Sequence, residues 1–261
     1  VIKNIYITSL KIHLLYLKLE LNFNMQLFYN PTIQISDVLF VFDKEESKHI
    51  IKVLRKKEND ILFVTNGLGY LFKTKIKLAS DNKCTIEVVS FEFQEATKFR
   101  VHLAVAPTKM NERFEWFLEK ATEIGCHEIT PIICDHSERK IIKIDRFQKI
   151  IESAMKQSLH YYLPKLNEPI SYKEFISKSI VGQKFIAHCE ETNKKALQSL
   201  LNTNDNYTLL IGPEGDFSVK EIELAEANSY QPVSLGNTRL RTETAAIVAC
   251  HTFVLLNEKD S

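Results

Sequence analysis

The carboxyl-terminal half of the chain has two short apolar runs, each followed at once by a loop that contains glycine. Residues 207–211 (YTLLI) have the continuous apolar character of a buried parallel strand, and residues 231–235 (QPVSL) fit a second strand. The first run ends at residues 212–215 (GPEG) and the second at Gly236. Because the carboxyl ends of parallel strands meet at one edge of a sheet, the two loops predict a ligand site at that edge.

Helical patterns follow both loops. Ser218 and Glu221 have the spacing of a capping box, which predicts a helix over residues 219–228. Residues 244–256 are almost wholly apolar and predict a second helix. A helix that is apolar on nearly all sides is buried in a large core or in a subunit interface.

Strand and helix patterns also alternate upstream of these loops. Apolar runs at residues 100–106, 128–134 and 184–189 predict strands, and periodic apolar positions predict helices over residues 111–124 and 145–158. This alternation predicts an α/β sheet.

Polar residues mark the expected helix ends in this region. Gly125 is expected to close the first of these helices, and Asp145 to cap the second. Asn193 is expected to cap a short helix that ends at Leu201.

The segment before residue 95 is rich in short strands. Residues 61–64, 70–76 and 84–91 have β-type patterns, and an Asn-Gly turn separates the first two. Several short strands joined by close turns predict a small β-barrel. Residues 95–98 are expected to link this barrel to the α/β domain.

Charged residues interrupt the first 24 residues, which lack a clean apolar region and a small-residue cleavage site. We therefore expect no signal peptide, and we interpret residues 1–24 as a non-native or disordered extension before Met25. The predicted plan is then an extension at 1–24, a barrel at 25–95 and an α/β domain at 96–261.

Composition agrees with a globular protein in a reducing compartment. The 261 residues are 44% apolar and 26% charged, with a formal net charge of +1. The five cysteines form no C-x-x-C pair, which favours reduced thiols in a cytosolic protein. No apolar run reaches the roughly 18 residues of a membrane helix, so no membrane role is expected.

Positive charge is concentrated in the barrel. Residues 44–77 carry nine Lys or Arg against four Asp or Glu, and a short helix is expected over residues 49–54. Two interpretations stay open at this point: an ordinary solvated face, or a surface that contacts phosphates.

Motif searches exclude several chemistries. The chain has no G-x-G-x-x-G after a strand, no G-x-x-x-x-G-K-[ST], no H-E-x-x-H and no G-x-S-x-G. The histidines and cysteines form no metal-ligand spacing, so no metal is expected. Glu214 and Glu243 are carboxylates of the kind that glycosidases pair, but nothing else supports that activity. The glycines of the two loops can also serve only to make tight turns.

The sequences IGPEGDFSVKE and VSLGNTRLRTETAA resemble the signature of 16S rRNA uridine-N3 methyltransferases of the RsmE type, in the SPOUT superfamily. The resemblance extends upstream through KATEIGCHEITPIICDHSERK and MKQSLHYYLPKL, so it covers most of residues 25–258. Asp216 stands where this family commonly has glycine, and Arg239 stands where an apolar residue is usual. At His160 the family usually has arginine.

The resemblance implies a carboxyl-terminal SPOUT α/β domain with a deep trefoil knot and an amino-terminal PUA-like RNA-binding β-barrel. It also implies bound S-adenosylmethionine, a homodimer, and 16S rRNA of the small ribosomal subunit as substrate, in the cytoplasm. A SPOUT enzyme for a ribose 2′-oxygen and a non-catalytic RNA-binding ribosome-assembly factor are the alternatives.

The same resemblance, together with the two loops, implies the site residues. Arg241 is expected to stabilise the charge of a deprotonated uridine, and Glu214 or Glu243 to accept the proton or to orient Arg241. Arg241 can instead form a structural ion pair, and Glu243 can instead serve as a helix-start carboxylate. The residues expected to hold the cofactor are Ala187, His188, Gly212, Pro213, Glu214, Gly215, Leu235, Gly236, Leu240, Thr244 and Ala245.

RNA contacts are expected in both domains. In the barrel, the expected residues are His49, Lys52, Arg55, Lys56 and Lys57, although His49 can be a structural histidine. In the α/β domain, Arg139 lies in a polar loop that resembles a loop near the site in this family. The alternative is that this loop is merely exposed and does not contact RNA.

Overall fold

The computed structural model describes residues 25–191 and 193–258, which form two compact units with the boundary between Gln94 and Glu95. The interpretation of residues 1–24 as an extension lies outside the described residues. Each unit has its own hydrophobic core.

The amino-terminal unit is a mixed five-stranded sheet with a short helical segment, in the order β1-β3-β4-β5-β2. β1 runs parallel to β3, and the other pairs are antiparallel. Its elements are β1 (Leu27–Tyr29), β2 (Leu39–Val41), α1 (Lys44–Lys48), a π-helical turn (His49–Val53), β3 (Ile61–Thr65), β4 (Tyr70–Leu78) and β5 (Thr85–Phe93).

Alternating apolar positions of these strands build the core of this unit. Phe72 and Ile76 of β4 are fully buried, and they share a cluster with Val64 of β3 and Ile86 of β5. The predicted Asn-Gly turn is confirmed: Gly67 has a φ of 75°, which glycine adopts at little cost.

The carboxyl-terminal unit is built on a parallel sheet in the order β11-β13-β10-β12-β6-β7-β8, with β9 beside β7. Its strands are β6 (Arg100–Val105), β7 (Glu128–Ile133), β8 (Lys165–Leu166), β9 (Ile170–Ser171), β10 (Gln183–Ala187), β11 (Lys195–Ala196), β12 (Asn206–Ile211) and β13 (Gln231–Ser234).

Helices cover both faces of this sheet. They are α2 (Asn111–Ile124), α3 (Ile144–Gln157), α4 (Tyr172–Ile176), α5 (Val219–Ala227) and α6 (Thr242–Glu258), with a 3-10 turn at Leu197–Ser199. α2, α3 and α6 supply one core, and α4 and α5 supply the other.

The strand residues alternate between the two cores. In β12, Leu209 and Ile211 face the cluster of α2, α3 and α6, and Leu210 faces the cluster of α4 and α5. Because helices cover both faces of the sheet, these strands have continuous apolar sequences. The predicted α/β sheet and the capping box at Ser218 and Glu221 are confirmed.

The order of the strands brings the two glycine loops together. β10 lies between β13 and β12, so the chain passes from β12 over β10 to reach β13. The carboxyl ends of these three neighbouring parallel strands therefore share one edge. The trefoil knot stays a prediction.

Two predicted helix caps are wrong. α3 begins at Ile144 with Lys143 at its N-cap, and Asp145 lies in the first turn, where its charge still favours the helix dipole. Asn193 caps no helix, because residues 195–196 pair with β13 as the edge strand β11 instead. The predicted closure of α2 by Gly125 is confirmed, since this residue is left-handed with a φ of 103°.

All five cysteines are free, and four of them are buried; Cys189 is exposed. No helix among residues 25–191 and 193–258 has the length and apolar character that a membrane crossing requires.

Candidate functional site

A cavity of about 710 Å³ lies at the carboxyl ends of β10, β12 and β13. Residues 187–189, 211–214 and 233–242 form most of its wall. The two predicted loops therefore meet around one cavity.

Most of the residues predicted to hold a cofactor line this cavity. Gly215 and Thr244 do not. The predicted residues in the wall are Ala187, His188, Gly212, Pro213, Glu214, Leu235, Gly236, Leu240 and Ala245.

The glycines of the first loop are closely packed against side chains of the protein. A Cβ atom on Gly212 would lie 3.1 Å from the Phe217 ring, and one on Gly215 would lie 3.1 Å from Cβ of His136. Gly236 differs, because its φ of +140° is left-handed, while apart from its chain neighbours no atom of the described residues lies within 4 Å of an added Cβ. Gly215 does not line the cavity and packs instead against His136.

Asp216 joins the first loop to the end of β10. Its Oδ2 accepts a hydrogen bond from Cys189 N at 2.6 Å, and its Oδ1 accepts one from Phe217 N at 2.8 Å. Its φ of 64° is left-handed, a conformation that glycine adopts freely and aspartate tolerates. Aspartate thus fits at the position where the family resembled by the sequence commonly has glycine.

The start of α6 is fixed to the same loop. Thr242 Oγ1 donates to the carbonyl of Gly212 at 3.0 Å, and Ala245 N donates to the carbonyl of Arg241 at 2.8 Å. These bonds hold residues 239–241 along the cavity, where Arg239 and Arg241 are exposed members of the wall.

His188 presents a buried imidazole to the cavity. Among the described residues, neither of its ring nitrogens has a hydrogen-bond partner. Burial, together with the charge of Lys194, lowers the pKa of His188, so the ring is neutral near pH 7. One donor and one acceptor are therefore available to a ligand.

The two acids predicted to act with Arg241 lie in different environments. Glu214 is exposed in the cavity wall, and its Oε1 accepts a hydrogen bond from Lys109 N at 3.0 Å. Glu243 is only 7% exposed and is absent from the wall. Its Oε1 lies 3.9 Å from Arg113 Nε, so its ionic partner is Arg113 and not Arg241.

Arg139 is held within the carboxyl-terminal unit. Its Nε donates to Thr108 O at 3.1 Å, and one terminal nitrogen donates to Lys109 O at 2.6 Å. The other terminal nitrogen bonds Asn111 Oδ1. These bonds tie the polar loop to the segment that enters α2.

The basic residues expected to bind RNA in the amino-terminal unit have few charged partners among residues 25–191 and 193–258. Lys52 Nζ lies 3.1 Å from Asp81 Oδ2, and His49 Nδ1 lies 3.0 Å from Glu46 Oε1. Arg55 and Lys57 are exposed, and Lys56 is half-buried. Exposed ion pairs contribute little to stability, so these charges are available to a ligand.

Sequence reasoning missed three cations of the cavity wall, Arg113, Lys194 and Arg239. Arg113 lies in the first turn of α2, and α2 follows a strand of the same sheet. Its position at the carboxyl edge was the available signal. Lys194 Nζ donates to the carbonyls of His188 and Glu190 at 2.8 and 2.7 Å.

No group of three or more His, Cys, Asp or Glu side chains is arranged to hold a metal ion within the described part of the chain.

Comparison with known proteins shows which families the two units match. Residues 95–254 match the RNA methyltransferase domain family, and residues 42–89 match the RNA methyltransferase PUA domain family. The fold and site therefore define an RNA methyltransferase with an amino-terminal PUA domain, and the expected α/β fold with a PUA-like amino-terminal domain is confirmed, while the knot stays a prediction.

Curated relatives refine this class. The chain is 31% identical to ribosomal RNA small subunit methyltransferase E of Buchnera aphidicola, over 84% of this chain and 90% of the relative. It is 30% identical to the protein of that name in Mesomycoplasma hyopneumoniae, over 80% of this chain and 94% of the relative. The chain belongs to the ribosomal RNA small subunit methyltransferase E family.

Solved structures of similar fold are also methyltransferases. A probable rRNA-methyltransferase of Porphyromonas gingivalis is 38% identical with a TM-score of 0.84, covering 91% of this chain and all of the other. A Legionella pneumophila methyltransferase, solved with the bound cofactor SAM, is 28% identical with a TM-score of 0.81 and covers 90% of this chain and 98% of the other.

Proposed function

We propose that this chain transfers the methyl group of S-adenosylmethionine to N3 of a uridine in 16S rRNA of the small ribosomal subunit, in the cytoplasm. The observation that carries the proposal is the cavity at the ends of β10, β12 and β13, which places Arg241 and Glu214 in the wall formed by the two glycine loops. The relatives' names and the SAM-bound neighbour support the substrate class and the donor.

The residues present fit the donor. The ring nitrogens of His188 have no partner in the described part of the chain and lie beside the cavity, which suits a ligand rich in polar groups. Gly212, Leu235, Gly236 and Leu240 line the same space, and their backbone groups would hold the adenosine. When bound there, the donor supplies a methyl group already activated by its sulfonium sulfur.

The protein's own contribution is alignment and charge stabilisation. The N3 proton of uridine must leave as the N3–C bond forms and the sulfur–methyl bond breaks. Arg241, exposed in the wall, stabilises the negative charge that develops on the base. Glu214 is the better placed proton acceptor of the two acids, because Glu243 is buried outside the wall. The proton then passes from Glu214 to water.

We also propose that the enzyme is a homodimer through its carboxyl-terminal domain. Val248, His251 and Leu255 follow one another at helical spacing along α6, and all three are half-buried or exposed. Leu255 is 43% exposed. A second copy would cover this stripe.

Two measurements test the proposed function. Calorimetry with S-adenosylmethionine should show a saturable site, and absence of binding would point to a non-catalytic RNA-binding factor. Mass mapping of 16S rRNA from a deletion strain should show the loss of one methyl group at a uridine base. Loss of a ribose methyl group instead would contradict the assignment to N3.

A further inference from the structure

Arg113 lines the cavity, but it lies on a helix and not in either of the two glycine loops. It lies in the first turn of α2, and its side chain is 35% exposed. Its acidic neighbour is Glu243, with Nε and Oε1 separated by 3.9 Å. That distance permits charge attraction but is too long for a hydrogen bond.

The guanidinium of Arg113 has unused hydrogen-bonding capacity. Within residues 25–191 and 193–258, no hydrogen bond from its five N–H groups is present, whereas the donors of Arg139 bind backbone carbonyls and an amide. Glu243 is buried, and its Oε2 also lacks a partner in this part of the chain. The carboxylate therefore attracts Arg113 without using its donors.

The charge of the wall indicates what such donors would bind. The wall has four permanent cations, Arg113, Lys194, Arg239 and Arg241, against two acids, Glu214 and Asp216. The methyl donor is itself a net cation, since its sulfonium and ammonium groups outweigh its carboxylate. A surplus of positive charge is suited to a polyanion, and RNA brings one negative charge per nucleotide.

We infer that Arg113 binds a phosphate of the RNA substrate beside the target nucleotide, and that Glu243 positions its side chain. This inference rests on the proposed function, because it assigns a contact to the same cavity. Arg113 supplies a planar fork that can hold two phosphate oxygens at once. Glu243 acts through Arg113 and is a positioning residue.

The first test uses Arg113→Gln, which keeps much of the side-chain length and removes the charge. The dissociation constant for a 16S rRNA transcript should rise, and the slope of log Kd against log salt should fall by about 0.7 to 0.9 for one lost phosphate contact. Arg113→Lys should restore the slope while binding the transcript more weakly than wild type. Arg146→Gln is the matched control, because Arg146 is an exposed arginine paired with Glu115.

A second arm separates RNA from the donor's carboxylate. S-adenosylhomocysteine carries that carboxylate, and methylthioadenosine does not. Arg113→Gln should bind both within about twofold of wild type. Weaker binding of S-adenosylhomocysteine alone would assign Arg113 to the donor and overturn the inference. An unchanged salt slope in Arg113→Gln would overturn it as well.

A double-mutant cycle tests the role of Glu243. Glu243→Gln should change the affinity for the transcript in the wild-type background and have little further effect in Arg113→Gln. An equal effect in both backgrounds would show that Glu243 acts elsewhere. Wild-type protein that binds the transcript but does not methylate it would defeat the proposed function and leave these comparisons intact.

Discussion

The carboxylate of Asp216 accepts a hydrogen bond from the backbone N–H of Cys189 at 2.6 Å and so ties the loop after β12 to the end of β10. Both residues line the cavity. The bond fixes the separation of two walls that would enclose a ligand.

Replacing Asp216 tests this connection. Asp216→Gly keeps the left-handed backbone and loses the bond, so we expect severalfold weaker binding of S-adenosylhomocysteine in calorimetry. Asp216→Ala also loses the bond but, unlike the glycine variant, retains the Cβ strain of about 1–2 kcal/mol at a φ of 64°, so its unfolding midpoint should be lower than that of the glycine variant. Wild-type affinity in both variants would show that the bond does not shape the site.

Arg241→Ala tests charge stabilisation. Because Arg241 is exposed in the wall and makes its contribution as charge develops on the base, the variant should fold and bind S-adenosylmethionine normally. Its single-turnover rate of methyl transfer should fall by about 10²- to 10³-fold, the usual cost of losing such a group. Arg241→Lys should recover part of the rate. Near-normal turnover in the alanine variant would remove Arg241 from the mechanism.

Val248→Glu tests the proposed dimer. The substitution places a charge on the partly exposed stripe of α6, which should weaken self-association in sedimentation velocity at micromolar concentration. Val219→Glu is the control, because Val219 is 58% exposed on α5 and should tolerate the same change. A wild-type protein that sediments as a stable monomer would refute the dimer.

Neutralising Lys56 and Lys57 to Gln tests RNA binding by the PUA domain. Loss of two phosphate contacts should raise the Kd for a 16S rRNA transcript and flatten its salt dependence by about 0.7 to 0.9 units of slope per contact. Affinity for S-adenosylmethionine and the identity of the methylated base should stay the same, since phosphate contacts position RNA without reading its sequence.

The control for this experiment replaces Lys173 and Lys220, two exposed lysines of the carboxyl-terminal unit that do not line the cavity. It removes the same charge at other positions. If the Lys56 and Lys57 variant keeps the wild-type slope, these residues form only a solvated face.

Two half-buried histidines should make stability depend on pH. Burial lowers the pKa of both His102 and His127 to about 4, from 6.5. His127 Nδ1 accepts a hydrogen bond from Val101 N, which requires the neutral ring. Above pH 6.5 both rings are neutral in the folded and unfolded chain, so their full contribution to stability is present there.

As the pH falls from 6.5 towards 4, the unfolded chain takes up protons that the folded chain does not. The free energy of unfolding should therefore decrease over this range, with one unit of pKa difference corresponding to about 1.4 kcal/mol. Urea unfolding at pH 7 and pH 5 measures this effect, and His127→Gln should reduce the difference. Equal stability at both pH values would contradict the assignment.

Local sequence patterns determined most of the elements. The capping box of α5, the left-handed Gly125 and the apolar runs of β6, β10 and β12 depend on interactions within a few residues or on burial of a whole strand. Such signals are present in the sequence itself. The two caps that were wrong, at Asp145 and Asn193, depend on where neighbouring segments pack.

The sequence by itself also determined where the cavity lies, because a glycine loop after each of two parallel strands marks one sheet edge. Only the tertiary structure decided which side chains meet there. Arg113 and Glu243 are 130 residues apart in the sequence. The packing of α2 beside α6 brings Arg113 Nε to 3.9 Å from Glu243 Oε1. No pattern along the chain encodes that distance, because it depends on the strand order and on the packing of helices across the sheet.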